Sequence, residues 1–151
     1  MEGKPVPKMI FINLPVTDVA RSTAFYEKLG FTRDPKFSNE QASMMAWSDE
    51  IKVMLLAHPF YSTFTKKPVA DAHATSQVLL CVSADSRDGV DQLVATAEAA
   101  GGLPDPGPTQ EMGEMMYGRS FEDLDGHHWE VGWMNLAAMG EVPHQPIVEE
   151  A

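Results

Sequence analysis

The alternation of apolar and polar positions divides the chain into two stretches with the same order of predicted elements. In each stretch an apolar strand leads into a helix, and short extended segments follow. The first helix is predicted over residues 19–29, and the second ends at Gly101. A glycine follows each helix, as expected where the backbone must turn left-handed at a helix end. The pattern therefore predicts two β-α-β-β-β modules, about residues 8–57 and 76–136.

Further extended segments complete each module. They are predicted at residues 31–37, 42–47 and 51–57, and again at residues 109–112, 115–122 and 128–134. Residues 58–75 connect the modules and contain three aromatic side chains, so a free linker is not expected. The connector is predicted to form a short helix that caps the core or, as the weaker alternative, a lid over a cleft. The chain is thus predicted to be one α+β domain over residues 1–151.

The last predicted hairpin carries a carboxylate inside an apolar strand. An acidic turn at residues 123–126 supplies Asp and Gly, which favour tight turns. The returning strand then places Glu130 between Trp129 and Val131. A carboxylate on a buried strand face is costly unless it meets a cation, a metal or hydrogen-bond donors. Glu130 is therefore either outward-facing and ordinary, or inward-facing and functional.

Composition narrows the classes of function. The 151 residues are 44% hydrophobic and 22% charged, as in globular proteins. The formal net charge of −11 argues against nucleic-acid partners and disfavours an anionic membrane surface. The first eight residues lack an apolar segment typical of a signal peptide, so a cytoplasmic location is expected. The single cysteine, Cys81, lies in an apolar run and is expected to be buried.

Several motifs resemble the vicinal oxygen chelate superfamily, which includes glyoxalase I, extradiol dioxygenases and bleomycin-resistance proteins. The resemblance rests on residues 14–18 with Phe25 and Tyr26, and on the turn 121–127 followed by Glu130. It covers nearly all of residues 8–136. It implies that the paired modules form a curved mixed sheet around a cleft.

The resemblance also implies positions for metal ligands. Those positions hold Phe11, Met54 or Leu55, Gln77 and Glu130. Only Glu130 is a strong donor, whereas divalent metals in such sites need about three from His, Cys or carboxylate. We therefore expect no cofactor. The alternative is a divalent metal held by Glu130, His128 and Gln77.

Other polar residues are candidates for the site. His128 and Glu130 share a strand face, so they could hold a metal or act as acid and base. Asn13 could orient a ligand or satisfy a neighbouring strand. Arg119 could pair with Glu130 or with an acidic ligand, although a surface salt bridge is the simpler interpretation. Trp47 is a candidate ligand-binding residue, with a core position as the alternative.

Three functions remain open from the sequence. The favoured one is a metal-free binder of a small, largely apolar molecule. The second is a lyase or dioxygenase of the glyoxalase or extradiol type with an altered metal site, and the third is an interaction protein with a vestigial cleft. A homodimer is also expected, because Trp129, Trp133, Met134 and Leu136 cluster late in the chain, beyond the needs of one small core.

Overall fold

The computed structural model describes residues 5–139, and the two β-α-β-β-β modules are present. In the first module the strands lie in the order Ile10–Val16 (β1), Ile51–Ala57 (β4), Ala42–Ala46 (β3) and Thr32–Asp34 (β2). Strand β1 is parallel to β4, and the other neighbours are antiparallel. The elements are β1 (Ile10–Val16), α1 (Val19–Lys28), β2 (Thr32–Asp34), β3 (Ala42–Ala46), β4 (Ile51–Ala57) and α2 (His58–Tyr61).

The second module repeats this arrangement in a five-stranded sheet. Its strands lie in the order Leu80–Ser83 (β5), His128–Met134 (β9), Met116–Glu122 (β8) and Leu103–Pro104 (β6), and Gln110–Glu111 (β7) also pairs with β8. Strand β5 is parallel to β9, whereas β8 is antiparallel to its partners. The elements are β5 (Leu80–Ser83), α3 (Arg87–Ala99), β6 (Leu103–Pro104), β7 (Gln110–Glu111), β8 (Met116–Glu122), β9 (His128–Met134) and α4 (Leu136–Met139). The α+β class is confirmed, as two mixed sheets that do not close into a barrel.

Local sequence explains where the helices begin and end. Asp18 has extended backbone and accepts a hydrogen bond from the Arg21 amide, and Ser86 accepts one from the Gly89 amide in the same way. These side chains satisfy amide groups that the first turn of a helix leaves unpaired. Gly30 follows α1 with a φ of 105°, a conformation that glycine adopts without strain.

Three expectations need correction. The predicted strand 31–37 ends at Asp34, because Pro35 begins a single 3-10 turn (Pro35–Phe37) that Asp34 caps. The predicted strand 109–112 is only Gln110–Glu111, whereas the short helix expected in the connector is present as His58–Tyr61. Cys81 is exposed rather than buried, because its side chain lies on the face of β5 that points away from the helices.

One hydrophobic core joins the modules. Tyr26 and Phe31 from the first module contact Trp129 edge-on, with ring centroids 6.0 and 5.9 Å away. Trp129 also stacks on Phe121, at 6.5 Å. Strand alternation turns the opposite sheet faces away from this core. We call them the first outward face, which carries Phe11, Asn13 and Met54, and the second outward face, which carries Cys81, Ser120 and Glu130.

Among the described residues, no helix is both long and apolar enough to cross a membrane.

Candidate functional site

The acidic turn is a buried joint between the modules. The Asp123 Oδ2 atom accepts a hydrogen bond from the Tyr26 hydroxyl at 2.5 Å. Its Oδ1 atom accepts from the backbone amides of Asp125 and His127, both at 2.9 Å. The indole of Trp129 donates to the Tyr26 oxygen at 2.9 Å. Burial is the main cause that raises the pKa of both Asp123 and Tyr26.

The second aspartate of the turn holds the start of α1. Asp125 Oδ1 accepts from both the amide and the hydroxyl of Thr17 at 2.9 Å, and Oδ2 accepts from the Ser22 hydroxyl at 3.3 Å. The imidazole Nε2 of His127 lies 2.7 Å from the Pro15 carbonyl oxygen. The turn therefore serves to join the modules, a role that sequence reasoning missed.

Gly126 lets the connector lie directly against this turn. A Cβ atom at this position would come within 2.6 Å of the His73 backbone nitrogen and 2.8 Å of the Ala72 carbonyl carbon. The residue also has a φ of 87°, which disfavours any other side chain. The Asp-Gly pair, which in the sequence indicated only a turn, thus also marks a close backbone contact.

Glu130 and His128 form a hydrogen-bonded pair on the second outward face. The Glu130 Oε2 atom lies 2.6 Å from His128 Nε2, and the side chains are 31% and 19% exposed. Within residues 5–139, Nδ1 of His128 has no partner. Because no buried side-chain nitrogen or oxygen in that range is unpaired, Nδ1 must retain exposed surface. The pair can therefore accept a hydrogen bond, or a proton, from a bound molecule.

The surface is open on the Gly132 side of this pair, whereas the loop at Gly107 lies against Ser120 and His128 on the other side. Gly132 follows Glu130 on the same face, and a Cβ atom built on it would meet only the Cys81 sulfur, at 3.8 Å. Partial burial of the thiol, and secondly the Glu130 charge, raise the pKa of Cys81, although the residue as a whole is exposed. A raised pKa keeps the thiol protonated, so Cys81 is suited to line a site and not to act as its nucleophile.

A separate cavity of about 270 Å³ lies between the connector and the last hairpin. Gln77 and His128 both line it, so the structure brings these two predicted site residues together. Gln77 precedes β5 and is exposed. We call this space the connector cavity.

The other predicted site residues lie elsewhere. Asn13 is exposed on the first outward face, opposite Met54 in the register. Trp47 packs against Phe31 at a centroid distance of 4.7 Å, on the core side.

Arg119 is opposite Val131 in the register, on the face away from Glu130. Its guanidinium donates to Asp105 at 2.7 and 3.0 Å and to Asp91 at 3.0 Å. Arg119 hydrogen bonding lowers the pKa of Asp105, and that of Asp91 is lowered first by the Tyr117 hydroxyl and then by Arg119. The structure therefore pairs Arg119 with these two carboxylates and not with Glu130.

Comparison with protein families identifies the fold and its relatives. Residues 8–131 match the model of the Glyoxalase/Bleomycin resistance protein/Dioxygenase superfamily. The chain belongs to this superfamily. No curated protein gave a match.

Several solved structures align with most of the chain. The hypothetical protein SA1046 from S. aureus is 27% identical, with a TM-score of 0.70 over 86% of this chain and 95% of that one. A glyoxalase/bleomycin resistance protein/dioxygenase family enzyme from Burkholderia phytofirmans PsJN is 19% identical, with a TM-score of 0.71 over 85% of this chain and 100% of that one. Lactoylglutathione lyase from Agrobacterium tumefaciens is 20% identical, with a TM-score of 0.60 over 86% and 96%. The last two show the shared fold alone.

The metal that the superfamily implies does not fit the donors in this chain. Among residues 5–139, no group of three or more His, Cys, Asp or Glu side chains lies close enough to hold a metal ion. Phe11 and Met54, on the first outward face, cannot supply hard donors, and Leu55 points into the core. Glu130 and His128 are two donors where about three are needed.

Proposed function

We propose that this chain binds a small, largely apolar molecule on its second outward face, without the superfamily's metal. The observation that carries the proposal is the Glu130–His128 pair, which lies outside the core beside the open surface at Gly132. A paired carboxylate with accessible atoms gives a ligand one polar anchor. The absence of side-chain bulk at Gly132 gives it room.

The apolar part of the site comes from a second copy of the chain. On the first outward face half of the Phe11 side chain is exposed, and Met54 is partly exposed. Exposed apolar surface of this kind favours a partner. We propose a homodimer in which the first outward face of one copy covers the second outward face of the other, so that Glu130 lies beneath an apolar wall. Light scattering at micromolar concentration should give twice the mass of the chain, and a monomer would contradict this arrangement.

A metal-free site is part of the same proposal. The donor positions occupied by Phe11 and Met54 support it, because neither side chain binds zinc, nickel or iron as a hard ligand. Elemental analysis of protein purified without chelator should find well below one metal ion per chain. A tightly held stoichiometric metal that is lost in Glu130→Ala would place a metal in the site and overturn this part.

An enzymatic function is the second candidate. It is favoured by the accessible Nδ1 atom of His128, because Glu130 holds the opposite ring nitrogen and so fixes the ring. Such a pair can take a proton from a bound molecule and return it. A lyase or dioxygenase activity of the superfamily's metal-dependent type is disfavoured by the donor set.

Binding of 2-naphthol, an apolar molecule with one hydroxyl donor, tests the proposed site. We expect its NMR footprint at residues 128–132, and Glu130→Gln should weaken binding by about 1–3 kcal/mol because a charged hydrogen bond is lost. Binding of 2-methoxynaphthalene, which lacks the donor, should change little. Glu98→Gln is the matched control, since Glu98 is exposed on α3. Unchanged 2-naphthol binding in Glu130→Gln would show that Glu130 is structural and that the site is wrong.

A further inference from the structure

The connector cavity carries chemistry of its own. It lies beside the last hairpin, where Glu122 and His128 are opposite one another in the register of β8 and β9. Glu130, the anchor proposed above, does not line it. A molecule in this cavity would therefore contact Glu122, whereas a molecule anchored at the other site would contact Glu130.

Glu122 is the negative charge of this cavity. Within residues 5–139 its carboxylate makes no hydrogen bond or ion pair, and its oxygens are not buried. Among residues 5–139, no lysine or arginine lines the cavity. The charge of Glu122 is thus uncompensated by the cavity walls, in a chain whose formal net charge is −11. An anion entering this space would meet repulsion, whereas a cation would meet attraction.

The remaining walls are small, apolar or able to accept hydrogen bonds. Ala70, Ala72 and Leu80 supply apolar surface, and Gln77 and Thr75 supply oxygen acceptors. A cavity of about 150 Å³ accommodates benzene. The connector cavity, at about 270 Å³, therefore has room for a ring with a short polar arm.

The close contact at Gly126 fixes one wall of the cavity. The connector backbone at Ala72 and His73 is seated against the turn because Gly126 has no side chain. The cavity is thus formed by two segments held at a defined separation.

We propose that the connector cavity is a binding site for a small organic monocation, an amine or amidine with an apolar body, whose charged group pairs with Glu122. His128 and Gln77 accept further hydrogen bonds from its N–H groups. This site shares His128 with the site proposed above, but its charged anchor is Glu122 instead of Glu130.

Three probes of nearly equal shape test the charge preference. Benzylammonium, benzyl alcohol and benzoate carry a positive, a neutral and a negative group on the same ring. All three probes are titrated at the same pH and salt concentration. We expect benzylammonium to shift the amide signals of residues 70–78 and 122–128. It should bind at least about fivefold more tightly than benzyl alcohol. Benzoate should not bind in this cavity.

Two variants, each of which replaces one glutamate with glutamine, test the role of Glu122. Glu122→Gln should weaken benzylammonium binding at least about fivefold, whereas Glu98→Gln, which removes an exposed charge on α3, should leave it within about twofold. Equal effects of the two variants, benzoate binding as tight as benzylammonium, or signal shifts outside the cavity would each overturn the proposal. If Glu122→Gln does not fold, the comparison of the three probes on the unaltered chain still decides.

Binding of 2-naphthol and of benzylammonium to the same variants distinguishes this site from the one in the proposed function. Loss of 2-naphthol binding in Glu130→Gln with retained benzylammonium binding supports two distinct sites. A benzylammonium footprint confined to residues 128–132 would instead assign both probes to the second outward face, and the connector cavity would not be a site.

Discussion

The last hairpin contains two sets of ionisable residues that differ in their surroundings. In the turn, Asp123 and Asp125 are buried and accept hydrogen bonds from the first module. On the strand that follows, His128 and Glu130 pair with each other and keep accessible atoms. Carboxylates only a few residues apart can therefore have different roles. Those whose oxygens are all occupied by protein donors stabilise the fold, and those with a free side remain for a ligand.

The largest expected effect follows from removing the first turn carboxylate. Asp123→Ala leaves the Tyr26 hydroxyl and the amides of Asp125 and His127 without their acceptor in a buried place. We expect the free energy of unfolding to fall by about 3–4 kcal/mol, measured by chemical denaturation. Asp49→Ala, in the exposed Ser48–Glu50 turn, should change it by less than about 0.5 kcal/mol. Equal effects would mean that the turn is not the joint between the modules.

The close contact at the turn should give the next largest effect. Gly126→Ala brings a methyl group against the connector backbone and strains a left-handed residue, so we expect a loss of about 2–3 kcal/mol. Gly113→Ala is the control, because Gly113 has a φ of 58° with no atom near its added Cβ. It should cost only about 1 kcal/mol from the backbone term alone. If both variants lose the same free energy of unfolding, the connector backbone must move aside without a cost in stability.

The buried Tyr26 hydroxyl should make the stability of the protein depend on pH in alkaline solution. Its pKa is raised, mainly by burial, so the folded chain keeps the phenol proton at pH values where the unfolded chain loses it. The free energy of unfolding should therefore fall as pH rises above about 10. Tyr26→Phe should cost about 1 kcal/mol at neutral pH through its lost hydrogen bonds. That difference from the unaltered chain should shrink in alkaline solution, as followed by denaturation at several pH values. A constant difference would refute the role of the phenol proton.

The smallest effect on stability is expected on the strand. Glu130→Gln keeps the shape of the side chain and removes a charge that is already partly solvated. The free energy of unfolding should change by less than about 0.5 kcal/mol. A clear gain in thermal stability would instead indicate that the charge of Glu130 is unmet in the folded protein. A loss as large as that of Asp123→Ala would remove the distinction between the turn and the strand.

Local pattern determined the elements and the order of the modules. The predicted strands 51–57 and 128–134 coincide with Ile51–Ala57 and His128–Met134, because a turn sequence directly precedes each run of strand-forming residues. The first helix begins where the Asp18 cap predicts. The hydrophobic pattern also indicated that His128 and Glu130 share a strand face, and the structure places them in contact. Such features depend on neighbours close in sequence, so the sequence alone was enough to define them.

The partners that those residues contact depend on the tertiary structure. Asp123 and Tyr26 are 97 positions apart, and Asp125 and Thr17 are 108 apart, so no local pattern reveals their hydrogen bonds. The same holds for Arg119, whose partner Asp91 lies on α3, and for Gln77, which shares a cavity with His128. A side chain's charge and its face on a strand follow from sequence. Whether that charge is satisfied inside the protein or left for a ligand depends on which distant segments the folded chain packs against it.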